Sequence, residues 1–197
     1  MKKYELTEET VTVFGKTLYR IRAVRDFGSV KTGEFGGYIE KEENLSHFGN
    51  AWISGNAWIS GNAKVSGNAW ISGNAKVYGD ARVSGNAWIS GNAWISGDAR
   101  VSGNARVSGD AWVYGNAEVF NTRHFFVQGP IGSRDGYVTF YRTKDDTVEV
   151  RCGCFSGSLQ EFVNQVEETH GGSRYEKEYK LAAELAKVCI RLEGESR

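Results

Sequence analysis

The sequence predicts a mainly β protein: a coil of very short parallel strands, with a small β cap before it and an α+β domain after it. Three observations carry this reading. From Gly49 to Phe120 the chain repeats Gly, Asn or Asp, Ala, a variable residue, Ile or Val, and usually Ser, twelve times without an insertion. Ahead of the repeat, "VTVFGKTLYRIRAV" alternates apolar and polar side chains, the period of a half-buried strand. After Phe120 the repeat stops, and a hairpin pattern followed by two helical patterns takes its place.

Residues 1–36 form the cap in this reading, with Gly15-Lys16 as the hairpin turn. A small antiparallel unit here would cover the first coil, which otherwise presents unpaired strand edges. The stretch "DFGSVKTGEFGGYIE" reads as a glycine-rich lead-in. Residues 37–120 form the coil, with clean repeats over 49–120; Gly37–Phe48 keeps the phase loosely and puts Ile39 and Leu45 in the alanine slot. In each unit Ala-x-Ile/Val is a strand of three whose first and last side chains point one way. Ser-Gly-Asn is turn chemistry, because Gly and Asn tolerate positive φ at little cost. A strand of three and a corner of three suit neither a helix nor a hairpin ladder. They suit a coil in which each strand bonds to its equivalent one turn along.

This pattern resembles the hexapeptide-repeat proteins, whose left-handed parallel β-helix has three six-residue sides per triangular coil. The family's apolar/x/x/x/small/x motif is matched by Ile53-Ser54-Gly55-Asn56-Ala57-Trp58. The resemblance implies four coils over 49–120, stacked to roughly 19 Å at the usual strand spacing. Ala and Ile/Val then fill a narrow dry prism, and the variable residue records what each face meets. Every eighteenth residue belongs to one face. The first carries Trp52, Trp70, Trp88 and Arg106; the second Trp58, Lys76, Trp94 and Trp112. The third carries Lys64, Arg82, Arg100 and Glu118, with Asp80 and Asp98 before the two arginines. Six exposed tryptophans would be a liability for a monomer. The expected partner is therefore the chain itself: a homotrimer, the usual assembly of the family, burying both tryptophan faces and leaving the ion ladder solvated.

Residues 121–197 form the α+β domain. "GYVTFYRTKDDTVEVRCGCF" reads as a hairpin around Asp145-Asp146, with Tyr137, Thr139, Tyr141, Val148, Val150, Cys152 and Cys154 on one face and Arg142 opposite Glu149. A first helix starts at the capping box Ser158-Leu159-Gln160-Glu161 and ends at Gly171-Gly172. A second spans about Tyr175–Leu192, with Tyr179, Leu181, Leu185, Val188 and Leu192 as its apolar stripe. Both helices are expected to pack on the Tyr/Val/Cys face.

Composition excludes several functions. Lys plus Arg and Asp plus Glu each count 24, so no overall charge draws the chain to a nucleic-acid polymer or a membrane. "MKKYELTEETVTVFG" lacks the apolar run of a signal peptide, and three cysteines suit a reducing compartment, so a cytoplasmic location is expected. Many hexapeptide-repeat proteins are CoA-dependent acyltransferases whose base is a histidine, often beside a loop thrown from the coil. Here no histidine and no loop lies within Gly49–Phe120; His47 and His124 flank it, and His170 lies far beyond. The zinc-binding branch uses three histidines from neighbouring subunits, and these three show no close pair. No catalytic residue, metal or cofactor is expected. Cys152-Gly153-Cys154 reads as two core thiols on one strand face.

Two signals favour a small anion. "GPIGSRDG" presents Ser133 and Arg134 on a glycine-rich loop, and an arginine beside hydroxyls suits phosphate or carboxylate. "CFSGS" leads into a capped helix, where backbone N–H groups with Ser156 and Ser158 attract anions. The whole chain also looks like a group of hexapeptide-repeat proteins of phages, prophages and bacteria, through "GGYIEKEENLSHFGNAWI" and "VEVRCGCFSGSLQEFV". The expectation is a non-catalytic oligomer that binds a small anionic, nucleotide-like molecule, a phage protein sequestering a host signal. The alternatives are an acyltransferase and a structural or protein-binding trimer.

Overall fold

The computed structural model describes residues 2–192. Its centre is a β-solenoid of about five turns. Twelve two-residue strands, β4 (Trp52–Ile53) to β15 (Glu118–Val119), stack in three parallel rows. The first row holds Trp52, Trp70, Trp88 and Arg106; the second Trp58, Lys76, Trp94 and Trp112; the third Lys64, Arg82, Arg100 and Glu118. These are the faces the eighteen-residue period predicts. Every Ala and every Ile or Val of the repeats is buried in the prism. The corners are tied by side-chain amides: Asn50, Asn68, Asn86 and Asn104 form one ladder, with Nδ2 to Oδ1 distances of 3.1–3.2 Å.

The incomplete first turn breaks the phase. Ile39 pairs with Ile59 and Leu45 bridges to Val65, a spacing of twenty residues rather than eighteen. Ile39 and Leu45 therefore occupy the Ile/Val slot, not the alanine slot. The 3₁₀ turn Glu42–Asn44 lies between them.

Strands β1 (Tyr4–Val13) and β2 (Lys16–Ala23) form the expected hairpin, but its turn is Phe14-Gly15, both at positive φ. β2 continues through β3 (Phe35–Ile39) into the second row, so the cap is an extension of that sheet. In the solenoid the inter-turn N–H groups donate forward, to carbonyls of the next coil. The first full coil is thus left with unclaimed carbonyls, and the last with unclaimed N–H groups. Polar side chains meet both needs. Lys3 Nζ donates to Ala51 O (2.7 Å), and Asn44 Nδ2 donates to Gly61 O (3.1 Å) and Ala63 O (2.8 Å). At the other end Trp112 N–H donates to Thr139 Oγ1 (3.0 Å) and Phe120 N–H to His124 Nδ1 (3.2 Å). Each end thus receives side-chain partners of the polarity it lacks.

Burial gives Lys3 a measurable signature. Desolvation first, and the Arg25 charge second, bring its ammonium down to about 8 from 10.5. Between those values the unfolded chain binds more protons than the folded one, so this group makes stability rise with pH. The neutral amine keeps two N–H donors, enough for its carbonyls. Burial acts oppositely on Tyr4 and Tyr141, whose phenols are raised above 10, and Tyr179 is pushed up to about 12. Above about pH 10 those groups make stability fall. Between about pH 8 and 10 the melting temperature of the wild type should gain on that of Lys3→Met. A constant gap would remove Lys3 as the source.

The C-terminal domain is a four-stranded antiparallel sheet carrying two helices. Its strands are β16 (Phe125–Ile131), β17 (Gly136–Arg142), β18 (Val148–Cys152) and β19 (Phe155–Ser158), in that order. Its helices are α1 (Leu159–His170) and α2 (Arg174–Cys189). The register differs by one residue from the sequence reading: Arg142 lies opposite Val148, and Tyr141 opposite Glu149. One residue of slip exchanges the faces. Val138, Phe140, Val150 and Cys152 meet the helices, while buried Tyr141 joins the solenoid core. Cys154 sits exposed in the β18–β19 turn beside Gly153, not in the core. α2 also turns its other side inward. Ala182, Ala183 and Ala186 are buried, whereas Leu181 and Val188 are 71% and 81% exposed. Small side chains let the helix approach its neighbours closely, which its larger residues would prevent.

Candidate functional site

The second face ends in a row of rings. Tyr78 and Trp94 are 6.2 Å apart, and Trp94 and Trp112 are 5.1 Å apart with their planes tilted by 54°. Lys76 Nζ stands 4.1 Å over Trp94, and the Arg151 guanidinium 4.9 Å over Trp112. The eighteen-residue period stacks Lys76, Trp94 and Trp112, and Tyr78 joins them from the corner position after Val77.

The C-terminal domain stands beside the last two turns of this row. Between them lies an open cleft of about 840 Å³. Trp94, Trp112, Asn92 and Asp110 form its solenoid wall. Tyr137, Phe155, Phe162 and Tyr179 form the opposite wall, with His170 at the end of α1. Phe162 and Tyr179 meet edge to face at 5.7 Å, and His170 stacks on Tyr179 at 5.7 Å. Those rings are therefore held in place rather than free to collapse into the space.

Ser133 and Arg134 reach the cleft from the β16–β17 hairpin turn, which Ile131 and Gly136 close by pairing. Gly132 makes that turn possible. Its φ is +76°, and a Cβ there would lie 1.9 Å from the Tyr179 hydroxyl. Its N–H donates to Glu178 Oε2 at 2.7 Å, which pins the turn to α2. Arg134 is exposed and makes no ion pair among the described residues. Burial holds the Tyr179 phenol and the Cys152 thiol up in their protonated forms. The cleft thus offers aromatic planes, neutral donors, one unpaired arginine and one carboxylate.

Ser156 and Ser158 do not line this cleft. Ser156 is exposed on β19, opposite Arg151. Ser158 caps α1, and the Glu161 carboxylate accepts from both its N–H (2.8 Å) and its hydroxyl (2.7 Å). The helix start therefore already holds an anion of its own. His47 and His124 also serve the ends of the prism. His47 stacks on Tyr4 at 4.3 Å, and its Nδ1 accepts from Lys3 N–H. The residues missed in the sequence are Asp110, Tyr137, Phe162, His170 and Tyr179, which come from separate elements with no shared local pattern.

The tryptophans divide into three states. Trp52 lies under Phe27, with ring centroids 5.4 Å apart, and is fully buried by the cap. Trp58 is 6% exposed beneath Phe14. Trp70, Trp94 and Trp112 are half-buried, and Trp88 is 49% exposed. Coverage of Trp52 and Trp58 needs no second subunit.

A family model described as "YdcK Beta solenoid repeat" matches residues 75–91, 93–108 and 99–115. The chain is a repeat β-solenoid. The matched residues include the tryptophan wall of the cleft but none of its C-terminal wall. No curated protein matches the chain. Among the described residues no helix is long and apolar enough to cross a membrane, and no group of His, Cys, Asp and Glu is placed to hold a metal ion.

Proposed function

We propose that this solenoid is a non-catalytic binding protein whose cleft holds a small, planar, anionic molecule of nucleotide type. The observation that carries the reading is Arg134, unpaired on the lip of a cleft walled by Trp94 and Trp112. Rings pack a heterocycle, and a guanidinium recognises phosphate with paired donors. Sequestration of a host signal nucleotide by a phage-encoded protein would use this chemistry.

The proposal includes a homotrimer, supported by the exposed Trp88 on a row that ends in Arg106. An acyltransferase reading draws on His170, the histidine that lines the cleft. It is secondary, because its ring packs on Tyr179 and, among the described residues, no carboxylate is hydrogen-bonded to the ring to orient it as a base.

Calorimetry with mono- and dinucleotides tests the reading. Arg134→Ala should weaken binding about tenfold to a hundredfold, the size of one charge-assisted contact. Arg100→Ala, on the exposed third face, should leave affinity unchanged. No heat with the wild type would end the proposal. Light scattering on the same sample should give three times the chain mass, and a monomer would end its oligomeric part.

A further inference from the structure

The corner aspartate at 110 has more acceptor capacity than the fold uses. Its Oδ1 accepts the Asn92 amide at 2.9 Å, ending the ladder Asn56–Asn74–Asn92–Asp110. An asparagine would serve equally well there, as Asn104 does at the end of the neighbouring ladder, accepting from Asn86 at 3.1 Å. Asp80 and Asp98 precede Arg82 and Arg100, whose charges complement theirs, whereas Asp110 precedes Trp112. Among the described residues no ion pair or hydrogen bond engages its second oxygen. Asp110 nevertheless lines the cleft, half-buried beside the tryptophan wall.

We propose that Asp110 is the specificity-determining residue of this cleft and selects a guanine-type base. The inference rests on the nucleotide reading and goes beyond it. A carboxylate beside an aromatic wall asks for N–H donors in the plane of the stacked ring. A cationic ligand would also supply donors, but Lys76, Arg151 and Arg134 already surround these rings with positive charge. Neutral donors fit better. Guanine places a ring N–H and an exocyclic NH₂ side by side, a donor pair that one carboxylate engages with two acceptor sites. Adenine offers an acceptor on the corresponding edge and would face the carboxylate with like polarity. Hypoxanthine keeps the ring N–H and lacks the amino group.

Calorimetry with guanosine, inosine and adenosine 5′-monophosphates decides the matter. The guanosine nucleotide should bind about tenfold to a hundredfold more tightly than the inosine one, the discrimination one paired contact supplies. Adenosine monophosphate should bind more weakly still. Asp110→Asn keeps the ladder acceptor and replaces the free oxygen by a donor. It should erase the guanosine preference while leaving the melting temperature and the Arg134 dependence in place. Equal affinity of the wild type for guanosine and inosine nucleotides, with Arg134 still required, overturns this inference alone. An unaltered preference in Asp110→Asn overturns it as well. No heat with any of the three overturns it together with the reading beneath it.

Discussion

Asp146→Ala should destabilise the folded protein by about 2–3 kcal/mol in urea unfolding, the cost of losing a charge-assisted hydrogen bond to a buried guanidinium. The Arg142 side chain is 3% exposed where β17 leaves the sheet, and its Nε–H donates to Asp146 Oδ1 at 2.6 Å. Glu118, from the last strand of the third face, is 3.9 Å from its Nη1, and the Phe120 ring lies 5.6 Å below the guanidinium. This cluster joins the final coil to the C-terminal sheet. Removing the carboxylate takes away the nearest counter-charge and keeps the desolvation. Arg142→Met should be milder, below about 1.5 kcal/mol, because it keeps volume and removes the buried charge. Asp146, only partly buried, can then be solvated. Equal costs for the two substitutions would show that packing, not charge, holds this junction.

Gly103→Ala is expected to cost about 2–5 kcal/mol, and Gly109→Ala only about 1–2. Both glycines sit at positive φ, +61° and +70°, where a Cβ crowds its own backbone. They differ in what lies above. A Cβ on Gly103 would come within 2.3 Å of the Phe120 carbonyl oxygen, while nothing lies within 4 Å of one on Gly109. The difference between the variants therefore isolates the closeness of successive turns from left-handed backbone strain. Identical melting temperatures would mean that the last coil moves aside at no cost.

The comparison of Gly103 with Gly109 also shows how far the repeat could be read directly. The six-residue period dictates that glycine recurs, because each corner needs positive φ. It cannot say which corners are overlaid by another coil and which lie at the end. The same holds for the tryptophans. Their period assigns each to a face, but only the cap, folding back with Phe27 and Phe14, buries Trp52 and Trp58 within the chain. In the C-terminal domain the capping box at Ser158 was legible because it is local, a hydroxyl and a carboxylate three residues apart. The strand register was not. Residues 143–147 between Arg142 and Val148 set the pairing, and a one-residue error there put Tyr141 with the helices instead of the solenoid. In α2 the large apolar residues outweighed the alanines by pattern, yet the alanines pack, because close approach rewards small side chains.

The candidate site divides along the same line. Ser133 and Arg134 could be picked out as donors on a glycine-bearing turn, and Trp94 and Trp112 as stacked neighbours, from the sequence itself. That the four share one cleft depends on how the C-terminal domain stands against the second face, and residues 94–112 and 133–179 carry no common period that would announce it. The sequence by itself determined the solenoid, its inward alanines and β-branched residues, and the composition of each outer face, since these follow from a period the backbone must obey. The tertiary structure alone decided which rings are covered, which face of the C-terminal sheet meets the helices, and where Asp110 and Arg134 come to share one space. Those depend on contacts between residues far apart in the chain, fixed by turn length and side-chain volume rather than by any local repeat.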